Sequence, residues 1–312
     1  MIAAAPSILN PKGSEASTLA GVWWLMFALG AAVYVVVAGL ILWAIFRNRR
    51  DRAGADSPER TPADTTWIVW GGLIIPVIIL AVIAVTTVRA TAELRKPDRN
   101  ALAVEVTGKR WWWQISYDGF TTANELHLPA GRPVVIGLDS DNVVHSFRIP
   151  ELAGTVDMIP GQHNELRFTP RTPGTYRGVC AEFCGIEHAR MQFVVVVQTP
   201  ADFERWALRQ TLVPLPPDGE SAAAGEQAFM REACAGCHMI RGTQAQGTVG
   251  PDLTDFGGRS TLGAATIANS ADNLRRWIAD AQSVKPGALM PPFPQLSDTE
   301  LRDMVAYLEG LK

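Results

Sequence analysis

Two long uncharged stretches near the N-terminus, residues 19–46 and 67–88, constrain the fold more than any other feature. Each exceeds the roughly 20 apolar residues that a helix needs to cross a bilayer. A buried hairpin in a soluble core is the alternative, but the length of the stretches and the tryptophans near their ends favour a membrane. The sequence therefore predicts two membrane-spanning helices.

The basic residues around these stretches predict their orientation. The preceding N-terminal tail carries only Lys12, whereas the loop between the stretches is rich in arginine. The loop arginines are Arg47, Arg49, Arg50, Arg52 and Arg60. Because cytoplasmic loops are enriched in Lys and Arg, we expect the loop in the cytoplasm and everything after Arg89 on the outer face. The first stretch is too long for a signal-peptide core, so we expect it to be retained.

The rest of the chain changes pattern twice. At 312 residues the chain has room for two domains beside a membrane anchor. Short alternating apolar runs broken by Gly and Pro predict a small Greek-key β-sandwich, and a Pro-rich stretch then predicts a stiff linker. The predicted parts are a tail with the two helices at 1–98, the sandwich at 99–200, the linker at 201–220 and a helical domain at 221–312. The net charge of −3 argues against binding to nucleic acid.

A cluster of metal-binding side chains lies in the second half of the predicted sandwich. Its members are His145, Cys180, Cys184, His188 and Met191. Thiolate and thioether sulfur bind Cu(I) and imidazole tolerates Cu(II), so the set suits copper that changes oxidation state. Cys180 and Cys184 are predicted to bridge two metal ions. The remaining ligands are assigned as His145 and Met191 for one ion and His188 for the other, with the Glu182 carbonyl as the last.

Two simpler assignments exist for the same residues. One is a disulfide between Cys180 and Cys184, and the other is a zinc site with two cysteines and two histidines. Neither uses Met191, and zinc would not take a thioether. Copper is therefore the favoured interpretation.

The pentapeptide Cys234-Ala-Gly-Cys237-His238 has the spacing of c-type haem attachment. In that motif two thiols add to the haem vinyl groups and the adjacent histidine lies beneath the iron. A chance match or half of a zinc site is the alternative. The Pro251 carbonyl is the candidate hydrogen-bond acceptor for the His238 ring. With this assignment every one of the 4 cysteines serves a cofactor.

Met290 is the predicted sixth ligand of the haem iron. Met239 is tethered too close to His238 to reach the opposite haem face. Met230 and Met304 lie on predicted helices, where packing is their expected role. A methionine of the core is the alternative for Met290, but methionine ligation raises the haem potential and suits electron delivery to copper.

Two contacts are predicted within the helical domain itself. Ser297 and Glu300 form a capping box that opens the last helix. Phe229 and Tyr307 are the candidates for contact between the first and the last helix.

These motifs resemble two known families. Residues 144–147 and 180–191 resemble the copper-A domain of cytochrome c oxidase subunit II. Residues 221–312 resemble small cytochromes c through the haem motif, residues 250–253 and the pair Met290-Pro291. The resemblance implies a multidomain membrane protein with a two-helix transmembrane hairpin, a cupredoxin-like Greek-key β-sandwich and an all-α class I cytochrome c domain. The implied cofactors are binuclear copper-A and one covalently bound haem c.

The resemblance implies the electron-input subunit of a caa-type haem-copper cytochrome c oxidase, a proton-translocating oxidoreductase. Electrons from a donor would reach, via haem c and copper-A, the haem of subunit I, where O₂ is reduced to water. The implied partners are subunit I, other oxidase subunits, a cytochrome c or bc-type complex as donor, and lipid. The implied location is a bacterial inner membrane, with both domains on the periplasmic face. Alternatives are the corresponding subunit of a copper-A nitric oxide reductase, and a freestanding electron shuttle or copper chaperone.

Three further residues acquire expectations from the resemblance. Trp111 falls on the tryptophan through which external cytochrome c passes electrons to copper-A, although filling of the sandwich edge is the alternative. The Glu182 side chain matches a glutamate directed at magnesium beside subunit I, with a solvated loop as the alternative. The family also has a glutamate before the second span, at the mouth of a proton channel, but this chain has none there. Asp64 is the candidate substitute, and a flanking charge is its simpler interpretation.

Overall fold

The computed structural model describes residues 7–48, 62–94, 96 and 99–312. The chain forms two compact units, one of Met1–Ala16 with Asp98–Lys312 and the other of Ser17–Pro97. Some of the residues used above for orientation and proton uptake lie outside the described ones. These are Arg49, Arg50, Arg52, Arg60 and the side chain of Asp64.

The N-terminal apolar stretches form helices that suit a membrane. Helix α1 spans Ser14–Asn48, and the second stretch forms α2 (Pro62–Val69), a π-helical turn (Trp70–Ile74) and α3 (Ile75–Leu94). Two candidate spans, Ser14–Arg47 and Thr65–Leu94, have mean hydropathies of 2.6 and 2.9 and expose their apolar side chains. A helix satisfies its own backbone hydrogen bonds, as a lipid environment requires. The π-helical turn contains the pair Gly71 and Gly72, where the missing side chains weaken the regular helix.

The β-sandwich contains ten strands in two sheets. They are β1 (Leu102–Lys109), β2 (Trp112–Tyr117), β3 (Phe120–Ala123), β4 (Glu125–Pro129), β5 (Val134–Ser140), β6 (His145–Arg148), β7 (Thr155–Met158), β8 (Asn164–Phe168), β9 (Gly174–Cys180) and β10 (Gln192–Gln198). The sheet orders are β3-β2-β1-β5-β8 and β4-β10-β9-β6-β7. Strand β1 pairs parallel with β5, and β10 pairs parallel with β4.

Alternating side chains of both sheets form the core of the sandwich, as a two-sheet fold requires. In β10 every second residue is buried, including Phe193, whose ring packs on Phe147 and Trp113 at 4.5 and 5.2 Å between centroids. Helix α4 (Pro200–Thr211) covers one edge, where Trp206 stacks on the His127 ring at 4.0 Å. The first half of the segment predicted as a linker is thus a helix that packs on the sandwich. Residues 213–218, which belong to no helix or strand, follow it.

The C-terminal domain consists of short helices around a core of its own. Its elements are α5 (Gly219–Arg231), α6 (Cys234–Cys237), β11 (Thr261–Leu262), β12 (Ile267–Ala268), α7 (Ala271–Ala279), α8 (Ala281–Val284) and α9 (Asp298–Gly310). The predicted contact between Phe229 of α5 and Tyr307 of α9 is confirmed, with ring centroids 5.9 Å apart. The predicted capping box is also confirmed, because Ser297 and Glu300 exchange side-chain and backbone hydrogen bonds.

Candidate metal centres

The copper-ligand candidates meet where three chain segments end beside one another. Cys180 is the last residue of β9, His145 is the first residue of β6, and β6 pairs with β9. Residues 181–191 form the loop from β9 to β10. A hydrogen bond of 3.0 Å from the Cys180 amide to the Met191 carbonyl closes the base of this copper loop.

The sulfur and nitrogen atoms lie close together. Cys180 Sγ is 3.8 Å from His145 Nδ1, 3.8 Å from Cys184 Sγ and 3.2 Å from the Glu182 carbonyl oxygen. Cys184 Sγ is 3.8 Å from both His188 Nδ1 and Met191 Sδ. His145 and Met191 are fully buried, and both thiols are nearly so. Five side chains and one carbonyl thus surround a small volume that contains both sulfurs of the thiol pair.

The two thiols are free and lie in hydrogen-bond contact with each other. A disulfide would join their sulfurs at about 2.05 Å, but they lie 3.8 Å apart. A hydrogen bond from the Cys184 thiol lowers the pKa of Cys180 to about 3, and the same bond raises the pKa of Cys184. Binding of metal displaces such protons, since thiolate is the ligand form. The donor set therefore fits a copper pair better than a disulfide.

Two glycines make room for the copper site. A Cβ on Gly108 would lie 2.8 Å from the His145 ring, so β1 approaches this imidazole as only glycine permits. Gly185 has a φ of +119°, and a Cβ there would lie 3.0 Å from the Trp111 ring. The other ring nitrogen of His145, Nε2, lies 3.3 Å from the Oδ1 atom of Asn142.

The haem motif opens into a cavity of about 400 Å³. Cys234, Cys237, His238 and Met290 line it together with many apolar side chains. His238 Nδ1 lies 2.8 Å from the Pro251 carbonyl oxygen, so the ring donates there and turns Nε2 toward a ligand. Burial lowers the pKa of His238, which favours the neutral imidazole that iron binds. A Cβ on Gly250 would lie 2.5 Å from this ring, which explains the glycine before Pro251.

The polar atoms of the cavity also fit a haem. Arg259 and Thr261 line it, and among the described residues no hydrogen-bond partner reaches Arg259 Nε or Thr261 Oγ1. Buried polar atoms are normally satisfied, so these two call for an acidic group such as a haem carboxylate. Of the described methionines, Met290 and Met304 line the cavity, and Met304 is buried in the helical core.

The tryptophans of the segment Lys109–Gln114 have different environments. Trp113 is fully buried in the sandwich core, whereas Trp111 and Trp112 are half-buried and line the haem cavity. The Trp111 indole N–H donates to the Cys184 carbonyl oxygen at 2.9 Å. One indole therefore lies against the haem cavity and is bonded to the copper loop. The Glu182 side chain is exposed, which suits a partner outside this chain.

Two buried charged residues join the sandwich to the cytochrome domain, and the sequence analysis missed both. Lys285 Nζ donates to the carbonyls of Trp111 and Arg190. Glu125 Oε1 accepts from the amide and hydroxyl of Ser260 at 2.7 and 2.6 Å and from the Thr261 amide at 3.2 Å. No local pattern marks these residues, because their partners across the interface lie 95 to 174 positions away in the sequence.

Comparison with known proteins agrees with this geometry. Residues 119–198 match the profile of the family "Cytochrome C oxidase subunit II, periplasmic domain", and residues 222–312 match "Cytochrome c". Cytochrome c oxidase subunit 2 of Alkalihalophilus pseudofirmus is 33% identical to the chain over 313 residues, covering 97% of this chain and 90% of the relative. The chain belongs to the cytochrome c oxidase subunit II family.

Further relatives have the same name. Cytochrome c oxidase subunit 2 of Bacillus sp. PS3 is 30% identical over 86% of this chain and 80% of its own length. The periplasmic domain of subunit II of cytochrome oxidase of Bradyrhizobium japonicum is 27% identical, covers 38% of this chain and 96% of its own, and has a TM-score of 0.35.

Family membership confirms the general features predicted from the sequence. This oxidase subunit II has two apolar N-terminal helices, a cupredoxin-like sandwich and a fused C-terminal cytochrome c domain, as in caa-type oxidases. Its two matched domains imply copper-A and haem c. The chain is thus part of a haem-copper oxidoreductase complex and associates with other oxidase subunits in a membrane.

Proposed function

We propose that this subunit II is the electron-input chain of its oxidase, in which haem c and copper-A, when bound, supply one-electron transfer from a donor toward the haem of subunit I for reduction of O₂ to water. The observation that carries the proposal is the position of Trp111. Its ring lines the haem cavity, and its indole N–H bonds to the copper loop. Trp111 therefore serves transfer inside the chain rather than contact with a soluble protein.

The side chains of this chain hold and orient the two cofactors. His145, Cys180, Cys184, His188, Met191 and the Glu182 carbonyl would hold the copper, and the two cysteines would supply thiolates to both ions. Close packing around His145 and the closed base of the loop keep these donors in place as the charge of the site changes. Such rigidity limits rearrangement between oxidation states, which favours fast transfer.

The haem assignments rest on the cavity. Cys234 and Cys237 would attach the haem covalently, and its iron would be bound by His238, which Pro251 orients, and by Met290. The distance from His238 Nδ1 to the Pro251 carbonyl and the position of Met290 on the cavity wall support these roles. Methionine ligation raises the haem potential, which helps delivery to copper.

The domain limits and the location complete the proposal. We place the tail and hairpin at 1–98 and the cytochrome domain at 221–312, and of the segment 201–220 predicted as linker we count α4 with the copper domain that begins at residue 99, because Phe203 and Trp206 belong to the sandwich core. The limits of the family matches, 119–198 and 222–312, support this division.

We assign the chain to a bacterial inner membrane with both domains in the periplasm. Its proposed partners are subunit I and a cytochrome c or bc-type complex. Glu182 is proposed to face magnesium beside subunit I, and Asp64 is the candidate for proton uptake.

Spectra of the purified oxidase test the proposed function. We expect a mixed-valence copper signal in electron paramagnetic resonance, together with visible bands of haem c and of the haem of subunit I. One copper per site, or zinc in its place, would contradict the binuclear assignment. A co-purified nitric oxide reductase large subunit would support the alternative function, which family membership disfavours.

Replacement of the sixth haem ligand gives a further prediction. In Met290→His the haem should stay attached through Cys234 and Cys237. Its potential should fall by an amount on the order of a few hundred millivolts, since axial ligands set haem potentials over about 0.8 V. Redox titration of the haem c band measures this change. Met304→Leu is the control, because it removes the other cavity thioether and should leave the potential and the methionine-to-iron absorption band unchanged. Loss of that band in the control instead would assign the ligand to Met304.

A further inference from the structure

Lys285 is a buried cation at the interface between the copper domain and the cytochrome domain. It begins residues 285–291, called here the Met290 segment because they contain the axial-ligand candidate Met290, and it is 3% exposed. Its ammonium donates to the carbonyl oxygens of Trp111 at 2.8 Å, Arg190 at 3.0 Å and Gly263 at 3.1 Å. The first two carbonyls belong to the copper domain, so one side chain joins both domains.

Both copper-domain contacts of Lys285 lie next to copper-ligand candidates. Trp111, which accepts from Lys285 through its carbonyl, donates from its indole to the Cys184 carbonyl. Arg190 directly precedes Met191 in the copper loop. Lys285 also lines the haem cavity. The ammonium therefore lies beside both cofactor sites at once.

Burying an ammonium between two domains costs free energy unless its N–H groups form hydrogen bonds. Burial lowers the pKa of Lys285 to about 8, Glu187 favours its charged form, and the nearby Arg190 charge opposes it. The three carbonyls accept from all of its N–H groups, which offsets the loss of water. At neutral pH the group remains predominantly charged.

We propose that Lys285 is a positioning residue that holds the Met290 segment against the copper loop and, as a fixed positive charge between the two sites, raises the reduction potentials of both cofactors. The inference rests on the proposed function, because it requires haem c and copper-A in these sites. A nearby positive charge stabilises the reduced state of a redox centre by Coulomb attraction, and low local polarity strengthens the effect.

The backbone beside Lys285 is adapted to the same contact. Gly287 has a φ of +97°, and a Cβ there would lie 2.8 Å from Ile186 Cγ2 of the copper loop. Only a glycine lets the Met290 segment approach so closely. On another part of the interface Glu125 accepts hydrogen bonds from Ser260 and Thr261. Two buried side chains of opposite charge, Lys285 and Glu125, therefore join the two domains. Substitutions at Lys285 can therefore be compared with a substitution at Glu125 in the same interface.

The test is redox titration of haem c and copper-A in the purified oxidase complex. In Lys285→Met and Lys285→Gln, the reduction equilibrium constant of each centre should fall by about tenfold, or about 59 mV for a one-electron couple. Lys285→Arg keeps the charge and should keep both potentials near their original values. Glu125→Gln removes a negative charge and weakens the hydrogen bonds to Ser260 and Thr261, because a neutral amide oxygen accepts less strongly than a carboxylate, so it should lower neither potential.

Hydrogen exchange of backbone amides distinguishes an effect of the Lys285 charge on the reduction potentials from loosening of the contact between the two domains. Amides of residues 285–290 should exchange faster in Lys285→Met, and amides of residues 260 and 261 should do so in Glu125→Gln. Unchanged potentials in both uncharged variants at position 285 would overturn the proposal. So would an equal fall in Glu125→Gln, because loosening alone would then explain the effect. Absence of haem c or copper-A bands from the unmodified complex would instead contradict the proposed function.

Discussion

Cys184→Ser should abolish the copper-A signal and lower oxidase turnover by more than about 100-fold. Cys184 occupies the centre of the donor cluster, with its sulfur 3.8 Å from Cys180 Sγ, His188 Nδ1 and Met191 Sδ. A serine hydroxyl is a hard donor that stays protonated at neutral pH, so it cannot bridge two coppers as a thiolate does. Loss of the bridge leaves the remaining donors without the geometry of a pair.

Electron paramagnetic resonance and metal analysis of the purified complex measure this outcome. Ala181→Ser is the matched control, because it places a new hydroxyl in the same loop on an exposed side chain. That variant should keep both the signal and the copper content. A mixed-valence signal that survives in Cys184→Ser would show that Cys184 is not a bridging ligand.

The copper-ligand cluster shows how much of a metal site can be predicted from the sequence. Cys180, Cys184, His188 and Met191 lie within one loop, so their spacing alone predicts that they can meet. His145 comes from another strand and was added through the resemblance of residues 144–147, and in the structure its Nδ1 lies 3.8 Å from Cys180 Sγ. The capping box at Ser297 was equally predictable, because it depends on residues three apart.

The interface between the domains could not be predicted in the same way. Lys285 reads as a solvated residue of a flexible segment, and it becomes buried only when two separately folded domains meet. Glu125 likewise reads as the exposed first residue of a strand. Their partners are set by the docking of two surfaces, which leaves no periodicity in the chain. The stacking of Trp206 on His127 was missed for a similar reason, because it packs α4, part of the segment predicted as a linker, onto the sandwich.

Deletion of residues 221–312 should leave the copper site intact and slow turnover with the physiological donor by at least about 100-fold. The copper donors all come from residues 145–191, and the sandwich has its own core, so the site does not need the cytochrome domain to form. Tethering places one partner near the other at an effective concentration in the millimolar range, and tethered binding gains about 10² to 10⁴ over the free partner.

The surface that receives the donor would be lost with the domain. Val249 and Leu289 border the haem cavity and are 69% and 72% exposed, so the domain offers an apolar rim for a docking protein. In the truncated chain a donor would have to reach Trp111 directly, at a surface shaped for the cytochrome domain. A small soluble reductant needs no docking surface, and turnover with it should be nearly unchanged, which serves as the control for an intact oxidase.

The rate at which the truncated oxidase oxidises its physiological donor tests the central claim most directly. The measurement compares full-length and truncated complexes at equal copper-A content, with the small reductant as reference. The account predicts a large loss with the protein donor and almost none with the small reductant. Oxidation of the protein donor at the full rate by the truncated complex would contradict it, because the cytochrome domain would then be an accessory to electron input.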